Sequence, residues 1–137
     1  MVAAGDAGRG VAEKLGIKPG QRAAVMNPPD GYADRIGPPQ GVEVTTDLDG
    51  TFDFVQLFAK DRATLDRHLK AAHAALEPGG LLWISYPKGS SKVPTDLNRD
   101  VFWGALEHLG VRPVTQVSVD DVWSALRFRP FAEVGSR

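Results

Sequence analysis

Three stretches of this chain carry residues able to do chemistry. The first is Asn27-Pro28-Pro29-Asp30-Gly31-Tyr32, a dense turn directly after a short apolar run, Ala23 to Met26. A turn in that place borders the ligand in open α/β sheets. The second is Tyr86-Pro87-Lys88-Gly89-Ser90-Ser91-Lys92, whose lysines and serines suit an anion, helped by a helix start near Thr95. The third is the set Asp96, Arg99 and Asp100 with Asp120 and Asp121. Its carboxylates suit Mg²⁺ or acid–base work. They equally suit helix starts and tight turns, where carboxylates are favoured for structural reasons. Trp123, Arg127 and Arg129 share one strand face by alternation, an arrangement able to stack on rings or to pair with acids such as Asp96 or Asp100.

Other chemistries are excluded or unsupported. The absence of cysteine removes disulfides, thiolate metal sites and thiol nucleophiles together. His68 and His73 stand five apart on one helix, which does not align them as a metal pair. No metal site is expected. Neither a phosphate-binding Walker loop nor a nucleophile elbow is present. A net charge of −1 argues against general nucleic-acid or anionic-membrane binding. No apolar run approaches the roughly 20 residues that span a bilayer, so the cytoplasm is the expected location.

The elements that must position these residues follow from periodicity and punctuation. Val11 to Leu15 reads as a short helix, and Arg22 to Met26 as a first buried strand. Ala33 to Ile36 adds a helical turn. Val42 to Thr46 is a second strand, and Phe52 to Phe58 the strongest one. About five residues join those two strands, against the dozen or so of a parallel crossover. The second strand is therefore antiparallel, or a small edge piece. Asp61 caps a helix bearing Leu65, Leu69, Ala72 and Leu76, ended by Pro78-Gly79-Gly80. Leu81 to Tyr86 is a buried strand. Thr95 caps a further helix, with Gly110 just past its end. Val114 to Val119 and Val122 to Phe128 close the chain as an antiparallel hairpin.

The expected class is α/β: a Rossmann-like, mostly parallel sheet of five to six strands with a C-terminal antiparallel hairpin. It forms one domain over residues 11–130, with flexible ends at 1–10 and 131–137. The open sheet edge offers a route to a homodimer.

Leu15-Gly16-Ile17-Lys18-Pro19-Gly20 before a buried strand, then Phe52-Asp53-Phe54-Val55, then Leu76-Glu77-Pro78-Gly79-Gly80-Leu81-Leu82 resemble the S-adenosylmethionine-dependent methyltransferases. Four blocks resemble the bacterial family called domain of unknown function 3052: Asn27 to Tyr32, Trp83 to Lys88, Thr95 to Asp100 and Asp120 to Arg129. The second resemblance implies no activity. The first implies a reduced methyltransferase-like fold and the cofactor S-adenosylmethionine. Glycines in the first turn normally let a cofactor approach the backbone, and here two prolines without N–H groups replace them. The expectation is thus a protein with no cofactor, binding a small molecule or a protein without catalysing a reaction. The alternative is a divergent small-molecule or S-adenosylmethionine-binding enzyme. Its site would lie at the carboxyl edge of the sheet and use Asn27, Pro29, Gly31, Tyr32, Tyr86, Lys88, Asp96 and Arg99.

Overall fold

The computed structural model describes residues 11–32, 36–37 and 40–130, apart from the side chains of Arg99, Trp103, His108 and Pro130. The expected flexible ends and the expected helical turn at 33–35 lie outside the described residues. Helix α1 (Val11–Leu15) leads into β1 (Arg22–Met26). Then follow β2 (Glu43–Thr45), β3 (Phe52–Phe58), α2 (Arg62–Ala74), β4 (Leu76–Pro87), α3 (Arg99–Ala105), β5 (Val111–Ser118) and β6 (Trp123–Pro130). The strands form one sheet in the order β2-β1-β3-β4-β6-β5. Strands β1 to β4 run parallel, and β6 is antiparallel to both β4 and β5. The expected α/β class, mostly parallel sheet and closing hairpin are all present.

Alternation along the strands sorts the core into two layers. One face carries Ala24, Val55, Leu57, Leu82, Ile84, Leu126 and Phe128, covered by Leu65 and Leu69 of α2, by Phe102 of α3 and by Leu106 just past its end. The other carries Ala23, Val25, Phe54, Phe58, Trp83 and Ala125, covered by Ala12 and Leu15 of α1 together with Tyr32 and Ile36. Arg127 opposes Trp83 and so stands on the α1 side of the sheet. Helix α3, which carries Asp100, packs on the opposite side, which places the suggested Asp100 partner across the sheet from Arg127.

The second strand is parallel after all, a three-residue piece at the sheet edge. Its short link to β3 is clamped by Arg22. The guanidinium donates to the carbonyls of Thr51 (3.0 Å) and Asp49 (2.9 Å) and lies 4.4 Å from the Phe52 ring centroid. Leu48 in this link packs on the α2 face, so the link crosses on the same side as α2, as right-handed connections toward β4 require.

Other boundaries move as well: the hairpin strands run Val111–Ser118 and Trp123–Pro130, not Val114–Val119 and Val122–Phe128. Pro78-Gly79-Gly80 does not end the helix, which stops at Ala74; it lies inside β4, where the register with β3 shifts. A Cβ on Gly80 would meet the carbonyl oxygens of Glu77 (2.9 Å) and Asp53 (3.0 Å), so only glycine lets the strands close there. The cap of α3 is Asn98, whose side chain accepts from the Val101 amide at 2.9 Å, while Thr95 accepts from Leu97 in a local turn.

Candidate functional site

The chain leaves β1 on the face that holds Tyr32 and Ile36 and leaves β3 on the face covered by α2. Because β1 and β3 are neighbours, their carboxyl ends part there and leave a crevice, which is where open α/β sheets bind ligands.

The turn after β1 forms one side of it. Asn27 is the single non-glycine residue with positive φ among the described residues, at 56°, and Gly31 follows at 78°. Asparagine tolerates the left-handed region better than most side chains. Pro28 and Pro29 hold the chain stiffly between these two reversals, and the Tyr32 amide closes the turn on the Pro29 carbonyl at 3.0 Å. Tyr32 lies beneath the crevice, not in its wall. It is 1% exposed, its hydroxyl donates to Gln56 Oε1 at 2.6 Å, and Gln56 Nε2 donates to Ser85 Oγ at 2.8 Å. Gln56 and Ser85 are wholly buried, so the three side chains tie the turn to β3 and β4 through the core. The Tyr32 ring meets Phe58 edge-on at 4.7 Å, and Phe58 meets Trp123 edge-on at 5.0 Å.

Above this aromatic stack opens a cavity of about 280 Å³. Asn27 and Pro29 of the turn, Phe58 and Lys60 at the end of β3, Thr64 of α2, Val93 and Trp123 line it. Its walls are chiefly apolar; among the described lining residues Lys60 brings the charge, and Asn27 and Thr64 bring the polar groups. Beside it, Asp61 accepts from the Thr64 hydroxyl and amide, which hold its carboxyl below the usual range. Asp96 accepts from the Arg62 amide at 2.7 Å. Two carboxylates therefore already occupy the amides at the start of α2, and this end is not free for an anionic ligand.

The remaining expected residues are placed differently. Tyr86 turns to the α2 face and packs on Phe102 at 5.0 Å. Lys88 Nζ donates to Ser118 Oγ at 2.6 Å, and the Lys88 amide donates to the Val122 carbonyl at 2.7 Å. Asp120 Oδ1 accepts from the amides of Val122 (2.8 Å) and Trp123 (2.9 Å). Lys88 and Asp120 thus fix the backbone that presents Trp123. The side chain of Arg99, at the start of α3, lies outside the described residues. Among the described residues no three of His, Asp and Glu converge as metal ligands do. Also among them, no helix is long and apolar enough to cross a membrane.

Of the eight expected site residues, the cavity contains Asn27 and Pro29; Gly31 shapes the same turn. Phe58, Lys60, Thr64 and Val93 were not foreseen, and Trp123 was considered only for stacking beside Arg127 and Arg129. Phe58 and Lys60 had a usable signal, since they end the strand next to β1.

No family model matches the chain, and no curated protein sequence does. Solved structures do match. A ribosomal protein L11 methylase from Lactobacillus delbrueckii subsp. bulgaricus superposes with a TM-score of 0.59 at 14% identity, over 88% of this chain and 74% of that one. A SAM dependent methyltransferase from Aquifex aeolicus gives 0.59 at 15% identity, over 86% of both chains. The fold is that of the S-adenosylmethionine-dependent methyltransferases. A third structure, a DhpI-SAM-HEP complex, gives 0.52 at 13% identity, over 88% of this chain and 84% of that one. The expectation of no cofactor is overturned by these neighbours, two of which are named for SAM. The prolines do lack N–H donors, and left-handed positions stand on either side of them at Asn27 and Gly31.

Proposed function

We propose that the protein binds S-adenosylmethionine at the crevice between the carboxyl ends of β1 and β3, as a divergent member of the methyltransferase fold. The observation that carries this reading is the cavity at the switch point, bounded by the Asn27 to Tyr32 turn in a fold shared with SAM-named structures. The residues suit an adenosyl group. Pro29 and Phe58 supply apolar surface for a purine, and the Asn27 amide supplies both a donor and an acceptor. When bound, the group supplies an electrophilic methyl on a sulfonium. The chain's part is to orient it and to exclude water with the apolar walls.

A second reading, binding without transfer, is favoured by one observation. The described residues lining the cavity include no carboxylate and no imidazole to act as a general base. The expected likeness to domain of unknown function 3052 has no support from a family model.

Calorimetric titration with S-adenosylhomocysteine tests the common element. One-to-one binding is expected, with a rise in melting temperature of about 10 °C at a hundredfold excess over Kd. Pro29→Glu, which puts a charge in the wall, weakens binding, while loss of the proline lowers the melting temperature of the free protein by only about 2–4 °C. No heat and no thermal shift at millimolar ligand sink the proposal. Product formation from labelled S-adenosylmethionine then separates transfer from binding.

A further inference from the structure

One wall of the cavity differs from the others in how it is held. Tyr32, Gln56 and Ser85 tie down the turn that carries Asn27 and Pro29. Phe58 ends β3, Thr64 lies in α2, and the turn at Asp120 holds the backbone of Trp123. Val93 instead comes from the segment that links β4 to α3.

That segment is fastened at two points. At its start the Lys88 amide donates to the Val122 carbonyl at 2.7 Å, and Lys88 Nζ donates to Ser118 Oγ at 2.6 Å. At its end Asp96 Oδ1 accepts from the Arg62 amide at 2.7 Å, and Leu97 is buried in the core. Val122 adjoins Trp123, and Arg62 falls between Lys60 and Thr64, so the two fastenings stand at different walls of the cavity. The segment spans it as a strap. Between the fastenings the bonds are local. Ser91 donates to the Lys88 carbonyl through its amide at 3.0 Å and its hydroxyl at 2.8 Å, and the Val93 amide reaches Ser91 Oγ at 3.4 Å. Among the described residues, no hydrogen bond ties residues 89–94 to a strand or a helix. Gly89, Ser90, Lys92 and Pro94 are exposed, and Val93 is half-buried against the cavity. A stretch that is exposed and bonded only to itself opens at a small cost in free energy.

The volume gives that opening a use. A cavity of roughly 150 Å³ accommodates one benzene ring. About 280 Å³ is therefore filled by the base and sugar of one adenosyl group, and the rest of that ligand needs a wall that moves to admit and then cover it.

We infer that residues 89–95 are a lid over the crevice, hinged at Gly89 and latched by Asp96 on the Arg62 amide. This rests on the reading of the crevice as an adenosyl site. Opening breaks the Asp96 bond, and closing remakes it with Val93 against the ligand. Asp96 does not line the cavity, yet it sets the rate of release.

The test is hydrogen exchange and stopped-flow kinetics on the full chain with S-adenosylhomocysteine. The amides of Gly89 to Lys92, which lie outside the cavity lining, exchange fast in the free protein and about tenfold more slowly when ligand saturates it. Asp96→Ala accelerates release by roughly three- to tenfold, the worth of one hydrogen bond, while Asp96→Asn keeps an oxygen acceptor and restores the wild-type rate. Should Asp96→Ala disturb α2, Gly89→Ala serves instead. A methyl there meets nothing, and the stiffer hinge slows entry and release together, each by about twofold. Ligand binding that leaves the exchange of Gly89 to Lys92 unchanged overturns the lid, as does a release rate indifferent to Asp96→Ala; in both cases the adenosyl reading stands. Absence of S-adenosylhomocysteine binding removes that reading and the lid with it.

Discussion

Replacing Tyr32 by Phe removes one oxygen atom and leaves the ring packed on Phe58. The loss falls on Gln56, which is wholly buried and whose Oε1 accepts the 2.6 Å bond from that hydroxyl. A buried acceptor left without its donor costs about 1–3 kcal/mol. For a domain of this size that is a fall in melting temperature of about 4–12 °C. Gln56→Leu is worse, since it removes both the acceptor of this Tyr32 bond and the donor to Ser85 Oγ, for about 2–4 kcal/mol. The decisive measurement is the double mutant. With Phe at position 32 and Leu at position 56, neither member of the first bond remains to be stranded, and removing both partners approaches neutrality for that pair. Urea unfolding of the four proteins should show the double mutant more stable than the sum of the singles by about 1–2 kcal/mol. The same cycle read through S-adenosylhomocysteine affinity asks whether the tie positions the turn. Tyr32→Phe should weaken binding although the hydroxyl lies below the crevice. Additivity in stability within about 0.5 kcal/mol would refute the claim that this hydrogen-bonded chain anchors the turn.

Two further outcomes follow from the cap and the clamp. The folded-state pKa of Asp61 lies below its unfolded value, so the stability it contributes is present above the unfolded pKa and is lost as pH falls through the folded one. Asp61→Ala should therefore lower the melting temperature at pH 7, by an amount that shrinks as pH falls below the unfolded carboxylate range; a deficit that does not change with pH would contradict this. Arg22→Met should cost about 1–2 kcal/mol in thermal unfolding and speed amide exchange across residues 46–51, because two carbonyl contacts and a ring contact disappear. Arg22→Lys should recover little of this, since an ammonium cannot bridge both carbonyls in a plane; full recovery would show that charge alone holds the link.

What the sequence revealed was what local chemistry decides. β1 and β3 are short apolar runs, and both match their expected limits. Asp61 caps α2 through a bond spanning three residues. What it concealed depends on distant partners. The direction of β2 rests on Arg22 reaching 27 and 29 residues along the chain to Asp49 and Thr51. The glycine pair at the start of β4 reads as a helix stop until Asp53 is seen pressed against Gly80. The site divides in the same way. Asn27 and Pro29 were legible because a topological rule places the end of β1 at the crevice. Lys88 and Asp96 were chosen for their charge, and charge does not disclose that Ser118 and the Arg62 amide already engage them. Tyr86 failed on parity. It stands one residue after Ser85, so its ring falls on the face opposite Tyr32 and Gln56.

The proline turn draws these strands of argument together. In a glycine-rich turn, backbone N–H groups do the recognition, and small residues let the ligand approach them. Here Pro28 and Pro29 have no N–H to offer, while Asn27 at φ 56° and Gly31 at φ 78° keep the chain reversed in a small space. What such a turn presents to a ligand is stiff apolar surface. The structure places matching surface around it, with Phe58 buried behind and Trp123 and Val93 opposite, and ties it down through Tyr32, Gln56 and Ser85. Recognition is thereby moved from backbone amides to side-chain faces. On the proposed reading, an adenosyl ligand at this turn meets apolar side-chain surface and, among the described lining residues, the charge of Lys60.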